Sequence, residues 1–276
     1  MDFIILTPDG VGSTILQRLI TLTYYLENVP VRNTHELTNG IELDSNNVLK
    51  KNFELRYSQT LPQIIQTLKN SNNTCKYISR VAKYHLDNRG DAIVEQKKFY
   101  EFLNNNFKYK IKCVRKNIFE YALSWSIRNE SGMLNVFNRD EKMQVRKVKQ
   151  VNEDFFLKKC KEYAEYVKWV DTEFPDTIEV AYEDLVLQSD QILADLTGYQ
   201  NTFTKKFGEK LSTLLKNEYE YVNFGKCKNV TDYKKLYNYK STVEKLQEKG
   251  VIINHPIKNT TLTEKKNQIA NYDNCV

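Results

Sequence analysis

The sequence predicts an α/β protein, a three-layer sandwich whose central sheet is mainly parallel. Short apolar runs that read as strands alternate four times with segments of helical spacing across the first 200 residues or so. Right-handed βαβ crossovers then place helices on both faces of the sheet. Apolar residues make up 41% and charged residues 28%, a globular composition. A layered domain of 276 residues buries enough surface to need no disulfide or metal staple.

Residues 2–7 (DFIILT) read as a buried strand, followed by the turn PDGVG. Residues 13–27 carry apolar side chains at 15, 16, 19, 20, 22 and 26, which is helical spacing, with Ser13 or Thr14 near the N-cap. Segment 30–40 is one of the stretches expected at the strand ends. Residues 47–70 look helical, interrupted or restarted at Pro62. Residues 75–81 alternate like a strand, 94–106 like a helix, 109–114 like a strand again, and 117–129 return to helical spacing. A long amphipathic helix spans 152–174 and stops at Pro175. Residues 177–182 (TIEVAY) form the fourth strand, and 184–197 a helix closed by Gly198. Beyond residue 200 the strand signal fades. Residues 204–219 and 240–249 look helical, and the last 25 are polar. The expected organisation is one domain over 1–276, with 200–276 a mostly helical or irregular C-terminal extension.

Several classes are disfavoured. The longest apolar stretches, about six residues, fall far short of the roughly 20 that span a bilayer. The segment MDFIILTPDG lacks the basic and apolar regions of a signal peptide. Net charge is +6, which suits an anionic ligand, but the basic residues are spread along the chain rather than gathered as in a nucleic-acid platform. The five cysteines show no zinc spacing and read as reduced thiols of a cytoplasmic protein. With three histidines, any imidazole chemistry falls to His35, His85 or His255.

Open α/β sheets bind ligands outside the carboxyl ends of their strands, so the segments after each strand are the candidates. After the first come Pro8, Asp9, Gly10, Val11, Gly12, Ser13 and Thr14. Glycines, a helix N-terminus and two hydroxyls make a phosphate cradle; the plain alternative is a Gly-rich turn. It is not a Walker A loop, because no Lys precedes the hydroxyl residue. After the second strand, Lys83-Tyr84-His85-Leu86 offers a general base beside a cation, or a structural histidine. His35 and Glu36 are a second pair of proton acceptors, or a helix cap with Glu in the first turn. After the third strand, Arg115 is followed nine residues later by Ser124; both suit one phosphate, and both also suit a surface. After the fourth, Tyr182 could offer its ring to a base, while Glu183 and Asp184 fit a helix N-terminus.

Together these segments resemble the 3′-phosphoadenylyl sulfate (PAPS)-dependent sulfotransferases. Pro8 and Gly12-Ser13-Thr14 are similar to that family's first loop, P-[KR]-[ST]-G-[ST]-T, which cradles the 5′-phosphosulfate. Arg115 and Ser124, within KCVRKNIFEYALSWS, match its 3′-phosphate element. Lys83-Tyr84-His85-Leu86 looks like the K-T-H-L segment that supplies the catalytic His and a Lys. Tyr182-Glu183-Asp184-Leu185 is similar to a strand-end Y-E-D-L whose Tyr lies near the adenine. The loop form TPDGVGST also resembles that of sulfotransferases from marine cyanobacterial phages.

The resemblance covers residues 1–200. It implies a P-loop NTPase-like sulfotransferase fold and sulfonate transfer from PAPS, with PAP as product, to a hydroxyl or amine of a small-molecule, carbohydrate or peptide acceptor. That chemistry needs no metal, and composition and charge lead to the expectation of no nucleic acid and no membrane as partners. His85 would be the base, with His35 or Glu36 as the alternative. The family's closing loop is not recognisable, and Lys226 and Lys228 are its nearest replacement. One departure stands out: where the family has a loop Lys or Arg, this chain has Asp9 or Gly10, and Lys83 or Arg18 would have to supply the cation. A P-loop phosphotransferase, or a nucleotide-binding protein without turnover, are the rival readings.

Overall fold

The computed structural model of the chain describes residues 1–56, 58–72, 74–132 and 150–211. These residues fall into two compact units. The first takes in Met1–Val114 and the described part of Lys168–Asn217; the second takes in the described part of Arg115–Val167.

The first unit is built on a five-stranded sheet in the order β2-β5-β1-β6-β7, every neighbouring pair parallel. Its strands are β1 (Phe3–Thr7), β2 (Val31–Glu36), β5 (Lys76–Ala82), β6 (Tyr109–Val114) and β7 (Thr177–Ala181). Central β1 is apolar at four successive positions, Phe3 to Leu6, and all four are fully buried. A strand covered on both faces reads this way rather than alternating. Helix α1 (Ser13–Leu26) carries the chain from β1 to the β2 edge. Helices α2 (Leu61–Lys69), α3 (Lys83–Asp87) and α4 (Ile93–Asn106) lie between β2 and β6. The β1-to-β2 crossover runs one way along the sheet and the β5-to-β6 crossover runs the other. With right-handed connections, α1 and α4 therefore flank opposite faces. After β7 come α7 (Tyr182–Leu187), α8 (Ser189–Thr197) and α9 (Thr202–Phe207). Helix α1 packs against α8 and α9, and α2 against α4. The mainly parallel sheet flanked by helices is the one expected. The direction of winding reverses beside the carboxyl end of β1, where such sheets bind ligands.

In the second unit, α5 (Ile118–Ser131) is capped by Asn117, whose side chain accepts from the Glu120 amide at 3.1 Å. The long helix α6 (Glu153–Glu173) begins in this unit. It meets α5 through ring pairs, Phe119 with Phe156 and Tyr121 with Tyr163, each at 4.9 Å between centroids. Its last turn belongs to the first unit, where Trp169 packs edge-on to Tyr100 of α4.

The strands read at 2–7, 75–81, 109–114 and 177–182, and the helices at 13–27, 94–106, 117–129 and 152–174, are present within one or two residues. Four expectations are corrected. Segment 30–40 holds a fifth parallel strand, β2, so Glu36 is not in the first turn of a helix; it ends the strand and precedes a 3-10 turn, Leu37–Asn39, without capping it through its side chain. Most of 47–70 is not helical: it contains β4 (Leu49–Lys51), which pairs antiparallel with β3 (Ile41–Leu43) in a hairpin, then a short 3-10 turn. Only 61–69 is helix, opened by a Thr60/Gln63 capping box with Pro62 in its first turn. The helix at 184–197 is broken in two at Gln188. Helix α1 is preceded by left-handed Gly12, with no side chain capping it. The expected helix at 204–219 appears as α9, which ends at Phe207; its remainder from 212, the helix at 240–249, and Lys226, Lys228 and His255 lie outside the described residues.

Candidate anion-binding site

The loop after β1 is wound left-handed. Asp9, Gly10 and Gly12 have φ of 74°, 70° and 81°. Asp9 is costly in that region, but its amide is held by the Thr7 hydroxyl at 3.1 Å. Val11, between the glycines, plugs into the core and anchors the loop from below. A larger residue at Gly12 is strained, by its φ and by a neighbouring ring. A Cβ there would strike Cδ2 of Tyr182 and come within 3.1 Å of Cε2 of the same ring. Tyr182, expected near an adenine, thus lays its ring against the loop. Because α1 starts uncapped, the amides of Ser13 and Thr14 point out of the helix with no intrahelical acceptor, as an anion requires.

The cation at this loop is Arg80, which the sequence reading missed. It lies on β5, directly beside β1, with 9% of its side chain exposed. Its Nη1 donates to the Thr14 hydroxyl and, at 3.4 Å, to that of Ser13. Ser13 occupies the position a Walker Lys would take, so the neighbouring strand delivers a guanidinium where the loop lacks an ammonium. The other side of Arg80 is held by Glu36: Nε donates to Oε2 at 3.0 Å.

Glu36 is fully buried and also accepts from the Ala82 amide at 2.8 Å and the Thr38 hydroxyl at 3.2 Å. Burial pushes its carboxyl up to about 7, with Asp9 adding to the rise, against the opposing pull of Arg80, the Ala82 amide and Thr38. Glu36 reaches Arg80 because of a register shift. Thr34 shares a face with Tyr77 and Ser79, its hydroxyl 2.7 and 2.9 Å from theirs. In a regular strand Glu36 would lie on that face too. The shift between Asn33 and Glu36 turns Glu36 to the opposite face and pairs it with Arg80.

His85 sits on α3, half-buried, its Nε2 3.9 Å from Asp9 Oδ2. Burial pushes its pKa below 6.5; Asp9 opposes this, while Arg56 and Arg80 add to it. The imidazole is therefore neutral, and able to accept a proton, at neutral pH. Lys83 is turned along its own helix onto Asp87, at 2.7 and 2.8 Å, rather than toward the loop. Arg18 is exposed on α1. Neither expected substitute for the loop cation is the one placed at Ser13 and Thr14. His35 lies on β2.

The loop, Arg80, Glu36, His85 and Tyr182 all belong to the first unit; Arg115 and Ser124 belong to the second. There, the Arg115 amide donates to the Tyr163 hydroxyl at 2.8 Å, and its guanidinium approaches Glu120 at 3.4 Å. Ser124 lies on α5.

Sequence signal for Arg80 was thin: one Arg within a strand, KYISRVA, whose other buried residues are apolar except for Ser79. No family model, curated protein or solved structure matches the chain.

Proposed function

We propose that the protein is a PAPS-dependent sulfotransferase of P-loop-like fold, with the β1–α1 loop holding the 5′-phosphosulfate. The observation that carries this reading is convergence. An uncapped, left-handed loop suited to an anion and a neutral imidazole suited to a proton meet at Asp9 and His85, 3.9 Å apart, from strands far apart in sequence. The amides of Ser13 and Thr14 would receive the phosphosulfate oxygens. His85 would take the proton of an acceptor hydroxyl or amine as its oxygen or nitrogen attacks sulfur, and the sulfonate would leave the 5′-phosphate of PAP. The family resemblance, rather than the geometry, assigns the 3′-phosphate to Arg115 and Ser124. Asp9 in the loop favours a second reading, a protein that binds the nucleotide without turnover.

Radiolabelled sulfonate transfer from PAPS to a panel of phenol, carbohydrate and peptide acceptors tests the proposal. Transfer lowered roughly 10²–10⁴-fold in His85→Ala, with PAP affinity retained, is the expected result. PAP binding with no transfer to any acceptor selects the second reading. Magnesium-dependent consumption of ATP would replace both with a phosphotransferase.

A further inference from the structure

We propose that Arg80 is the cation that receives the anion at the β1–α1 loop, and that Glu36, its buried partner, takes up a proton as the anion binds. The inference deepens the proposed function and rests on its reading of the loop as an anion site. Arg80 is the charged group that touches both loop hydroxyls, Ser13 and Thr14, through the same Nη1. It is also tied to a carboxylate that has no contact with water. With Glu36 ionised the pair carries no net charge, and an arriving anion meets little attraction. With Glu36 neutral, the guanidinium keeps its hydrogen bonds and its full charge is directed at the loop.

The other charges around the pair come from the β1–α1 loop, α3, β4 and the end of the 3-10 turn at Arg56. Asp9 of the loop raises the Glu36 pKa. His85 of α3 feels both Asp9 and Arg80, with Arg56 acting on it as well. Lys51 of β4 is pushed down, first by burial and then by Arg80. An anion at Ser13 and Thr14 adds negative charge beside Glu36 and favours its neutral form, whose ordinary environment already holds the carboxyl near 7. Linkage then requires the converse: losing that proton weakens the anion.

Calorimetry of the full chain with inorganic sulfate, whose own charge is constant from pH 5.5 to 8.5, reads both sides of the linkage. Near pH 7, buffers of different ionisation enthalpy should reveal net proton uptake on binding. Sulfate affinity should fall about tenfold between pH 6 and 8.5, as for a one-unit shift of one group. Glu36→Gln should bind sulfate without uptake and without that fall, and Arg80→Met should lose sulfate binding. His85→Gln should keep the uptake, which separates the two proton acceptors. Uptake absent from the wild-type chain, uptake that disappears in His85→Gln, or uptake that persists in Glu36→Gln would each overturn the inference. Should Glu36→Gln not fold, the wild-type and His85→Gln titrations decide it alone. PAP run in parallel keeps the two readings apart. Sulfate behaving as stated while PAP binds no tighter than sulfate contradicts the nucleotide but not Arg80. Tight PAP binding with no proton exchange contradicts the Glu36 linkage but not the nucleotide.

Discussion

At the scale of single residues, the site is a set of charges placed where their cost is high. Arg80 and Glu36 are both buried, and removing either partner leaves an uncompensated group, worth about 3–5 kcal/mol in such pairs. Because burial raises Glu36 in the folded protein, its favourable contribution is complete below its ordinary value of 4.5 and is lost as pH rises through about 7. Urea unfolding at pH 5 and pH 8 should therefore show the wild type losing about 2.5 kcal/mol more than Glu36→Gln over that interval. An equal loss in both would mean that Glu36 titrates normally. His85 has the opposite sign. Its pKa is depressed, so transfer should climb with pH through a value below 6.5 and be level by pH 8. A rate still rising at pH 8 would place the base elsewhere. Gly12 is constrained twice, by φ of 81° and by the Tyr182 ring. Gly12→Ala is expected to cost about 2 kcal/mol or more in unfolding free energy, above the 1–2 kcal/mol of a left-handed L-residue alone. A cost near zero would show that Tyr182 swings away freely.

At the scale of elements, edge strand β2 and the strand pair β6–β7 carry what periodicity conceals. Helices and buried strands were legible because their apolar spacing is regular: β1 is a continuous apolar run, and α6 holds its pattern for 21 residues. Strand β2 was not legible. In its sequence VRNTHE, Arg32 and Asn33 face water as polarity suggests, but Thr34 and Glu36 are buried against it, so no apolar period marks the strand. Its face change comes from a register shift that depends on the neighbouring strand. The β3–β4 hairpin was missed because its second strand lies in an apparent helical spacing, although Asp44 ties the turn by accepting from the Asn46 and Val48 amides, both at 2.9 Å. Arg80 and Glu36 were separable in sequence only as one strand cation and one loop acid; pairing needs the sheet order. Strand β6 hides a second case in Lys112, 1% exposed, which meets Asp171 at 2.9 Å and Glu179 of β7 at 3.4 Å. Lys112→Met fits the volume but strands two acids. Since Asp171 keeps access to water, the expected loss is about 3 kcal/mol, at the low end for a broken buried pair. A stabilised variant would mean that the three charges never repaid their desolvation.

At the scale of the whole molecule, net charge of +6 favours anions in general but does not choose one. The choice lies in the strand order, which puts β1 at the centre with β5 on one side and β6 on the other. That order is why a loop leaving β1 can be served by an arginine from β5 and a histidine from the helix just after it. Among the described residues no helix is long and apolar enough to cross a membrane. The central claim is that this loop binds the phosphosulfate end of the nucleotide, and Thr14 isolates it: its hydroxyl meets Arg80 at the mouth of α1, and Thr14→Val keeps the shape while removing it. The direct measurement is the dissociation constant of PAP for the wild-type chain and for Thr14→Val. PAP binding that weakens roughly tenfold or more in the variant, the cost of a charge-assisted hydrogen bond, is the predicted result. No PAP binding by the wild type, or equal binding by both chains, would contradict it.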